Sequence, residues 1–209
     1  MATRTAHVTI RGIRPLLMSK FGREAIPLDP TKNERTGVAG NDPEEWRTRC
    51  MVDKDGHLYV RPDYVFSCIR DGARAGGHKV NRKAASYAVS STLQVLDTVV
   101  YLDRWYPGFP NGHAFDVKKV EAPTEDETQP VYLDVRSAVN PATKKRNVRY
   151  RVAVSPGWKA QFTIQWEGSI VPATSMRAIV DDAGKLSGLA DGRSIGYGRF
   201  EIVDWQEDD

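Results

Sequence analysis

The chain has 209 residues, 40% of them hydrophobic, so it can bury a core as one large domain or as a small domain with insertions. It has no apolar run long enough to span a membrane, and residues 1–9 lack the apolar centre of a signal peptide, so we expect a cytoplasmic protein. Its two cysteines, Cys50 and Cys68, are too few for a disulfide framework and lack metal-ligand spacing, so we expect reduced thiols near buried faces. We interpret residues 1–209 as a single domain.

The net charge of +3 hides an uneven distribution. Residues 201–209 form an acidic tail with five carboxylates and no basic side chain, and residues 1–200 carry a net charge of +8. A basic surface is compatible with a nucleic-acid partner, although many soluble domains carry a similar excess. The tail is interpreted either as a solvated segment or as a nucleic-acid mimic that occupies the basic surface.

The first part of the chain predicts short elements separated by loops. Residues 7–13 alternate loosely and indicate a half-buried strand. Residues 19–41 are polar and rich in turn residues, which indicates a long loop of the kind that is functional or disordered. A short helix over residues 43–50 and a hairpin over residues 51–60 around Asp55-Gly56 follow.

The next part predicts two helices and a strand. Residues 62–75 have helical spacing of apolar side chains, and Gly76-Gly77 supplies a stop signal. Residues 84–93 predict a second helix and residues 95–102 a β-branched strand. Residues 103–130, with prolines, glycines and an acidic run, indicate a connection or insertion within the domain.

Three strands with clear alternation then follow, over residues 131–138, 147–154 and 159–166. In the second and third of these strands one face is apolar and the other polar, as expected for an antiparallel sheet with one face in water. Arg149 and Arg151 are predicted on the wet face. The connection between the first two strands forms a basic hairpin finger around residues 138–150, suited to grip a phosphate backbone.

The C-terminal part predicts a helix over residues 174–182, a glycine-rich loop over residues 188–199, and a strand over residues 200–205. Four glycines lie within eleven residues of this loop, together with Arg193 and Arg199. Glycines permit close approach of the backbone to a ligand, and the arginines add positive charge for a phosphate. The alternative is a mobile turn and a bulge that lead into an edge strand.

The order of helix, glycine-rich loop and closing strand at the C-terminus resembles that of the CRISPR repeat-associated RNA-binding (RAMP) superfamily. The residues that carry this resemblance are Gly192-Arg193-Ser194-Ile195-Gly196-Tyr197-Gly198-Arg199-Phe200. Residues 10–18, Ile-Arg-Gly-Ile-Arg-Pro-Leu-Leu-Met, are similar to the first strand and following loop of the backbone subunits of that superfamily. They are closer still to a group of uncharacterised phage and mobile-element proteins. The resemblance covers about the first 20 residues, residues 62–75 and about the last 35 residues.

The resemblance implies an α+β fold, ferredoxin-like, with an antiparallel sheet, helices on one face, and inserted loops or a hairpin. It also implies binding of single-stranded DNA or RNA along a sheet or groove, often in head-to-tail assemblies, with the glycine-rich loop near the strand. Basic side chains cluster in residues 1–23, 70–83 and 144–151, and whether these three clusters share one groove or form separate solvated faces stays open. The candidate nucleic-acid-binding residues are Arg11, Arg14, Lys20, Arg74, Lys79, Arg82, Lys83, Lys144, Lys145, Arg146, Arg149, Arg151, Gly192, Arg193, Gly196, Tyr197, Gly198 and Arg199.

Signals for catalysis are weak. The four histidines are scattered without ligand spacing, and the chain has no phosphate-binding loop and no nucleophile-elbow serine, so we expect no metal, no cofactor and no catalytic residue. His78, in a basic segment, is the one candidate base for metal-independent RNA cleavage, and a surface histidine is the competing interpretation. Aromatic residues in or near loops would stack unpaired bases. The candidates are Tyr87, Trp105, Tyr106, Phe109 and Tyr197, and for Tyr197 plain packing is an equal alternative.

Three functional hypotheses follow. The first is a non-enzymatic single-stranded nucleic-acid-binding protein of phage, mobile-element or CRISPR-related origin, which oligomerises along its ligand or serves in a nucleoprotein assembly. The second is a self-assembling or partner-binding phage protein, such as an inhibitor of a host defence system. The third is a metal-independent endoribonuclease.

Overall fold

The computed structural model describes residues 3–20, 42–139 and 146–208. Its helices and strands, in chain order, are β1 (Thr3–Gly12), β2 (Leu16–Leu17), α1 (Glu45–Arg49), β3 (His57–Val60), α2 (Pro62–Ala75), β4 (Lys79–Val80), β5 (Lys83–Ala84), α3 (Ala85–Thr92), β6 (Gln94–Val95), β7 (Val100–Trp105), β8 (Val131–Val139), β9 (Arg146–Val154), β10 (Lys159–Glu167), α4 (Ala173–Asp182) and β11 (Phe200–Glu207). A π-helical turn, Ala183–Ser187, directly follows α4, and a 3-10 turn, Arg193–Ile195, lies in the glycine-rich loop.

The main sheet has six strands: β11, β1, β10, β7 and β3 in that order, and β6, which pairs with β10. Every neighbouring pair in it is antiparallel. The helix α2 lies between β1 and β7 in the chain, and α4 lies between β10 and β11. With β1, β7, β10 and β11 as first to fourth strands, the spatial order is 4-1-3-2, that of a ferredoxin-like fold. The α+β fold class expected from the sequence is therefore confirmed, with β3 as an additional edge strand.

The helices cover one face of this sheet, because alternate residues of the strands are apolar. Val8 and Ile10 of β1 are fully buried. Ile10 lines one internal space with Val65 of α2 and Phe162 of β10. The opposite face carries polar side chains such as Thr9 and Gln161, which leaves it open to solvent.

The local sequence explains the position of α2. Pro62 occupies its first turn after the extended Arg61, and the helix ends at Ala75, directly before Gly76, as the sequence predicts. Within the helix, Gly72 permits close contact with the turn that follows α4. A Cβ atom at Gly72 would lie 2.5 Å from the Cα of Ala183, so the helix and the turn touch backbone to backbone.

A second sheet contains β2, β9 and β8, and it holds the long hairpin of β8 and β9. The sequence suggested that β8, β9 and β10 form one sheet with a common wet face, and this was wrong. β10 instead pairs with β1 along its whole length, because β2 takes the free edge of β9. Arg149 and Arg151 therefore lie on the hairpin sheet and not on the main sheet.

One further expectation needs correction. The strand predicted over residues 95–102 is two strands, β6 and β7, because the chain bends between them at residues 98–99. In the acidic tail, residues up to Glu207 form β11 and pair with β1, and side chains such as Asp204 stay exposed. Most of the loop predicted over residues 19–41 lies outside the described residues.

The described helices include none that is long and apolar enough to cross a membrane.

Both thiols are predicted to be unreactive in the folded protein. Burial raises the pKa of Cys50 and of Cys68 to about 12, so the thiolate that reacts with disulfide reagents is scarce near neutral pH. We expect an aromatic disulfide reagent to label no thiol in the native protein at pH 8 and both thiols after unfolding in urea. Rapid labelling of either thiol in the native protein would contradict this packing.

Candidate nucleic-acid interface

A cavity of about 450 Å³ lies between the hairpin of β8 and β9 and the glycine-rich loop. The residues that line it include three hairpin arginines, two carboxylates and one loop glycine, namely Arg136, Arg149, Arg151, Asp134, Asp191 and Gly192. Of these, Arg149, Arg151 and Gly192 were predicted from the sequence. The structure therefore brings two of the predicted basic segments, the hairpin and the glycine-rich loop, to one place.

Tyr197 connects the loop to the hairpin. Its side chain is buried against Leu17, Tyr132 and Ala153. The guanidinium of Arg136 lies over the Tyr197 ring, 4.4 Å from its centroid, and thus covers a face that the sequence had offered for base stacking. Of the two alternatives for Tyr197, the structure shows packing.

Asp134 contacts both Arg136 and Tyr197. It is 4% exposed, and its carboxylate accepts hydrogen bonds from Arg136 Nε at 2.7 and 2.8 Å. The hydroxyl of Tyr197 donates to the same carboxylate at 3.4 Å. A buried carboxylate is tolerated when it is paired and hydrogen-bonded, and Asp134 has both kinds of partner.

Glu45, in the first turn of α1, pairs with the other two arginines of the cavity, Arg149 and Arg151. Arg149 Nη1 lies 3.1 Å from Glu45 Oε1, and Arg151 Nη2 lies 3.9 Å from the same oxygen. Arg151 also pairs with Asp191 of the loop. Burial lowers the pKa of Arg151, while the charge of Glu45 opposes this shift.

Exposure separates these arginines into two groups. The side chains of Arg136 and Arg149 are 38% and 39% exposed, whereas that of Arg151 is only 15% exposed. A guanidinium has five N–H donors, so Arg136 and Arg149 keep donors for a ligand beyond those used by Asp134 and Glu45. Arg151 serves mainly to join the hairpin to the loop.

The two arginines of the glycine-rich loop are placed differently from the sequence expectation. Arg193 does not line the cavity, because its guanidinium pairs with Asp71 of α2 at 3.0 Å. Arg70 pairs with the same carboxylate at 3.0 Å. Nη1 of Arg199 is buried and has no hydrogen-bond partner within the described ranges. Direct phosphate contact by Arg193 would require the Asp71 ion pair to open.

The glycines have distinct roles. At Gly198, φ is +68° and an added Cβ would lie 1.9 Å from the carbonyl oxygen of Leu189, so the loop closes on itself there. Gly198 N–H donates to Pro15 at 2.6 Å, which ties the loop to the segment before β2. At Gly196, φ is +86° but an added Cβ would meet no neighbour.

The remaining predicted residues are distributed around the molecule. Arg11, on the open face of the main sheet, pairs with Glu201 at 2.8 Å and does not reach the cavity. Arg14 is exposed beside the loop, since its N–H donates to Arg199 O at 3.3 Å. Lys20 is exposed next to α1, where its N–H donates to the carbonyl of Arg49. Arg146, at the start of β9, is exposed, and Lys144 and Lys145 lie outside the described residues.

A separate basic cluster follows α2. Its members are exposed at the end of that helix and on the hairpin of β4 and β5, namely Arg74, Lys79, Arg82 and Lys83. His78, which lies among them, pairs with Asp182 of α4 at 2.7 Å. This pair joins the C-terminal ends of the two helices, so the histidine has a structural contact that the sequence did not indicate.

The sequence reasoning missed Arg136, Asp134 and Glu45. A usable signal existed for the first two, because opposite charges two residues apart in a predicted strand share a face. No local sequence pattern predicts the role of Glu45, because Glu45 contacts β9 only in the folded chain. In the part of the chain that the structure describes, no group of three His, Cys, Asp or Glu side chains could hold a metal ion.

The strand order and helix placement define the class of the protein as a ferredoxin-like α+β domain. No family model matches the chain, and no curated protein matches it. Among solved structures, the chain is similar to a chain in the cryo-EM structure of the type III-B Cmr-beta complex bound to cognate target RNA. The TM-score is 0.49 and the sequence identity 13%, and the similarity covers 98% of this chain and 60% of that one.

Two glycine substitutions test the closure of the loop. We expect Gly198→Ala to lower the free energy of unfolding by about 3 kcal/mol or more, because it adds a backbone clash to the cost of a positive φ. Gly196→Ala is the matched control and should cost about 1 kcal/mol, since only the backbone conformation is strained. Urea denaturation followed by tryptophan fluorescence measures both, and equal effects would contradict the loop geometry.

Proposed function

We propose that the protein binds single-stranded nucleic acid, without cleaving it, at the cavity between the hairpin and the glycine-rich loop. The observation that supports this most is the pair of partly exposed arginines, Arg136 and Arg149, held in fixed positions by Asp134 and Glu45. Guanidinium groups held by carboxylates keep their remaining N–H donors oriented for a phosphate. Exposed Arg146 extends the positive charge along the same strand as Arg149.

The dimensions of the site favour a single strand. A cavity of about 450 Å³ has the size of a small-ligand pocket and suits one nucleotide unit better than the width of a duplex. A longer strand would therefore offer consecutive sites to several copies of the protein. This supports the further proposal that the protein oligomerises along its ligand or serves in a nucleoprotein assembly. An origin in a phage or mobile element, which the resemblance of residues 10–18 implies, is part of the same proposal.

The absence of catalysis is part of the proposal. The candidate base, His78, is bound to Asp182 through Nε2 and lies in a different part of the fold from the lining of the cavity. A general base must reach the proton that it removes, and the two carboxylates of the cavity, Asp134 and Asp191, are held in ion pairs with Arg136 and Arg151.

The substitutions Arg146→Gln and Arg149→Gln together test the site. Each removes a positive charge from β9 while Arg136 and Arg151 stay to hold the loop. We expect binding of a labelled 20-nucleotide single strand to weaken by about tenfold or more, because about two phosphate contacts are lost. The slope of log affinity against log salt should also become shallower by about 0.7 for each lost contact. Fluorescence anisotropy at two salt concentrations measures both effects.

The matched control is Arg4→Gln with Arg11→Gln, which removes the same charge from two exposed ion pairs on β1. Surface pairs of this kind contribute little to stability, so the control should fold and bind nearly as the unaltered protein does. Equal weakening in both variants would refute the site, and no binding of DNA or RNA at low salt would refute the function. Cleavage of the oligonucleotide, with or without a chelator, would refute the non-enzymatic part.

A further inference from the structure

Three aromatic rings form a stack on the open face of the main sheet, at the edge formed by β3 and β7. The ring of His57 lies between those of Tyr101 and Trp105, with centroid distances of 4.4 and 4.3 Å and interplanar angles of 20° and 9°. Tyr101 is 43% exposed and Trp105 is 41% exposed. We call Tyr101, His57 and Trp105 the ring stack. Of its three members, only Trp105 was predicted from the sequence as a functional residue.

Hydrogen bonds fix the ring stack in place. Nε2–H of His57 donates to the carbonyl of Leu102 at 2.5 Å, and its backbone N–H donates to Asp53 at 2.9 Å. Partial burial raises the pKa of Asp53, but this and other donated hydrogen bonds lower it more, so the pKa lies below its usual value. The rings are therefore preorganised beside a negative charge.

A cavity of about 480 Å³ adjoins the ring stack and contains unequal charges. Asp97, Asp103 and Lys159 line it together with the three rings. Asp103 is paired with Arg104 of its own strand at 2.8 Å. Asp97 accepts a hydrogen bond from the Thr163 N–H at 2.6 Å, and no cation of the described residues pairs with it.

The charged side chains that line the cavity are two carboxylates and one ammonium group. Asp103 is neutralised by its ion pair with Arg104, and Asp97 keeps its negative charge next to the rings. Aromatic faces attract cations through their quadrupole. The charge therefore favours a positively charged occupant over an unpaired base of a nucleic acid.

We propose that this cavity binds an arginine side chain presented by a partner protein. The planar guanidinium would lie on the exposed part of Tyr101 or Trp105 and donate to Asp97. Arginine fits better than lysine, because a guanidinium both stacks on aromatic rings and forms bidentate hydrogen bonds with a carboxylate. This site lies apart from the hairpin cavity, so one molecule can hold a nucleic acid and a protein partner on different surfaces.

Trp105 extends the proposed surface. It also lines a second cavity, of about 680 Å³, with Phe109, Pro123 and Pro130. Those side chains are largely apolar, so this groove suits an apolar residue next to the arginine in the same partner segment. Tryptophan, tyrosine and arginine are the residue types that contribute most to binding at protein interfaces.

The test uses small probes and the full chain. The Trp105 indole N–H signal, assigned with Trp105→Phe, is followed by NMR while N-acetyl-arginine amide is added. N-acetyl-lysine amide and adenosine monophosphate are added in parallel experiments. We expect a saturable shift with the arginine probe, a weaker one with the lysine probe and none with the nucleotide. No nucleic-acid chain is present, so the result is independent of the proposed function.

Asp97→Asn should weaken the arginine response by about two- to fivefold, because the amide keeps the acceptor for Thr163 but loses the charge. Asp204→Asn removes an open-face carboxylate outside the cavity and should leave the response unchanged. Equal effects of the two variants would overturn the role of Asp97. A stronger response to the nucleotide than to arginine would replace the proposal with a base-stacking site, and no response to any probe would overturn it.

Discussion

The site between the hairpin and the glycine-rich loop depends on one buried carboxylate, Asp134. Its contacts with Arg136 and Tyr197 come from two segments that are far apart in sequence. Removing either partner would leave a charge buried with too few hydrogen bonds, which costs several times what a surface ion pair contributes. The position of Asp134 therefore fixes the loop against the hairpin, and the shape of the cavity follows from that contact.

Carboxylates also determine which arginines of the chain are held in ion pairs. Glu45, Asp71 and Asp191 pair with arginines that the sequence alone presents as free for a ligand. On β1, the acidic residues of β11 pair in the same way with Arg4 and Arg11. Ion pairs with carboxylates therefore occupy many of the arginines, and among those that line the cavity, Arg136 and Arg149 of the hairpin are the more exposed. The open face of the main sheet, in contrast, carries an exposed ring stack next to the carboxylate of Asp97.

The sequence predicted much of the fold for clear physical reasons. The alternation of polar and apolar side chains predicts β10, which the structure contains. The proline and glycine at its boundaries predict α2, which the structure also contains. The pairing of β9 with β2 had no such signal, because β2 contains only two residues. The acidic β11 was predicted as a strand from its apolar residues, while its pairing with β1 depends on a register that only the folded chain reveals.

The candidate site was predictable in outline but not in detail. Glycines with positive φ and arginines on a hairpin are visible in the sequence, and both line the cavity. The direction of an arginine side chain depends on which carboxylate lies nearby in space. For this reason Arg193 was expected at a ligand but pairs with α2, and Arg136 was overlooked although it covers Tyr197. The ring stack was missed because its members come from two strands that pair across the sheet.

The central claim is that a single strand contacts the hairpin cavity and not the open face of the sheet. Ultraviolet cross-linking of the protein to a uniformly labelled single-stranded oligonucleotide, followed by peptide mass spectrometry, tests it most directly. We expect the cross-linked peptides to come from β9 and from residues 191–196 of the glycine-rich loop. Cross-links confined to β3 and β7, at the ring stack, would contradict the claim.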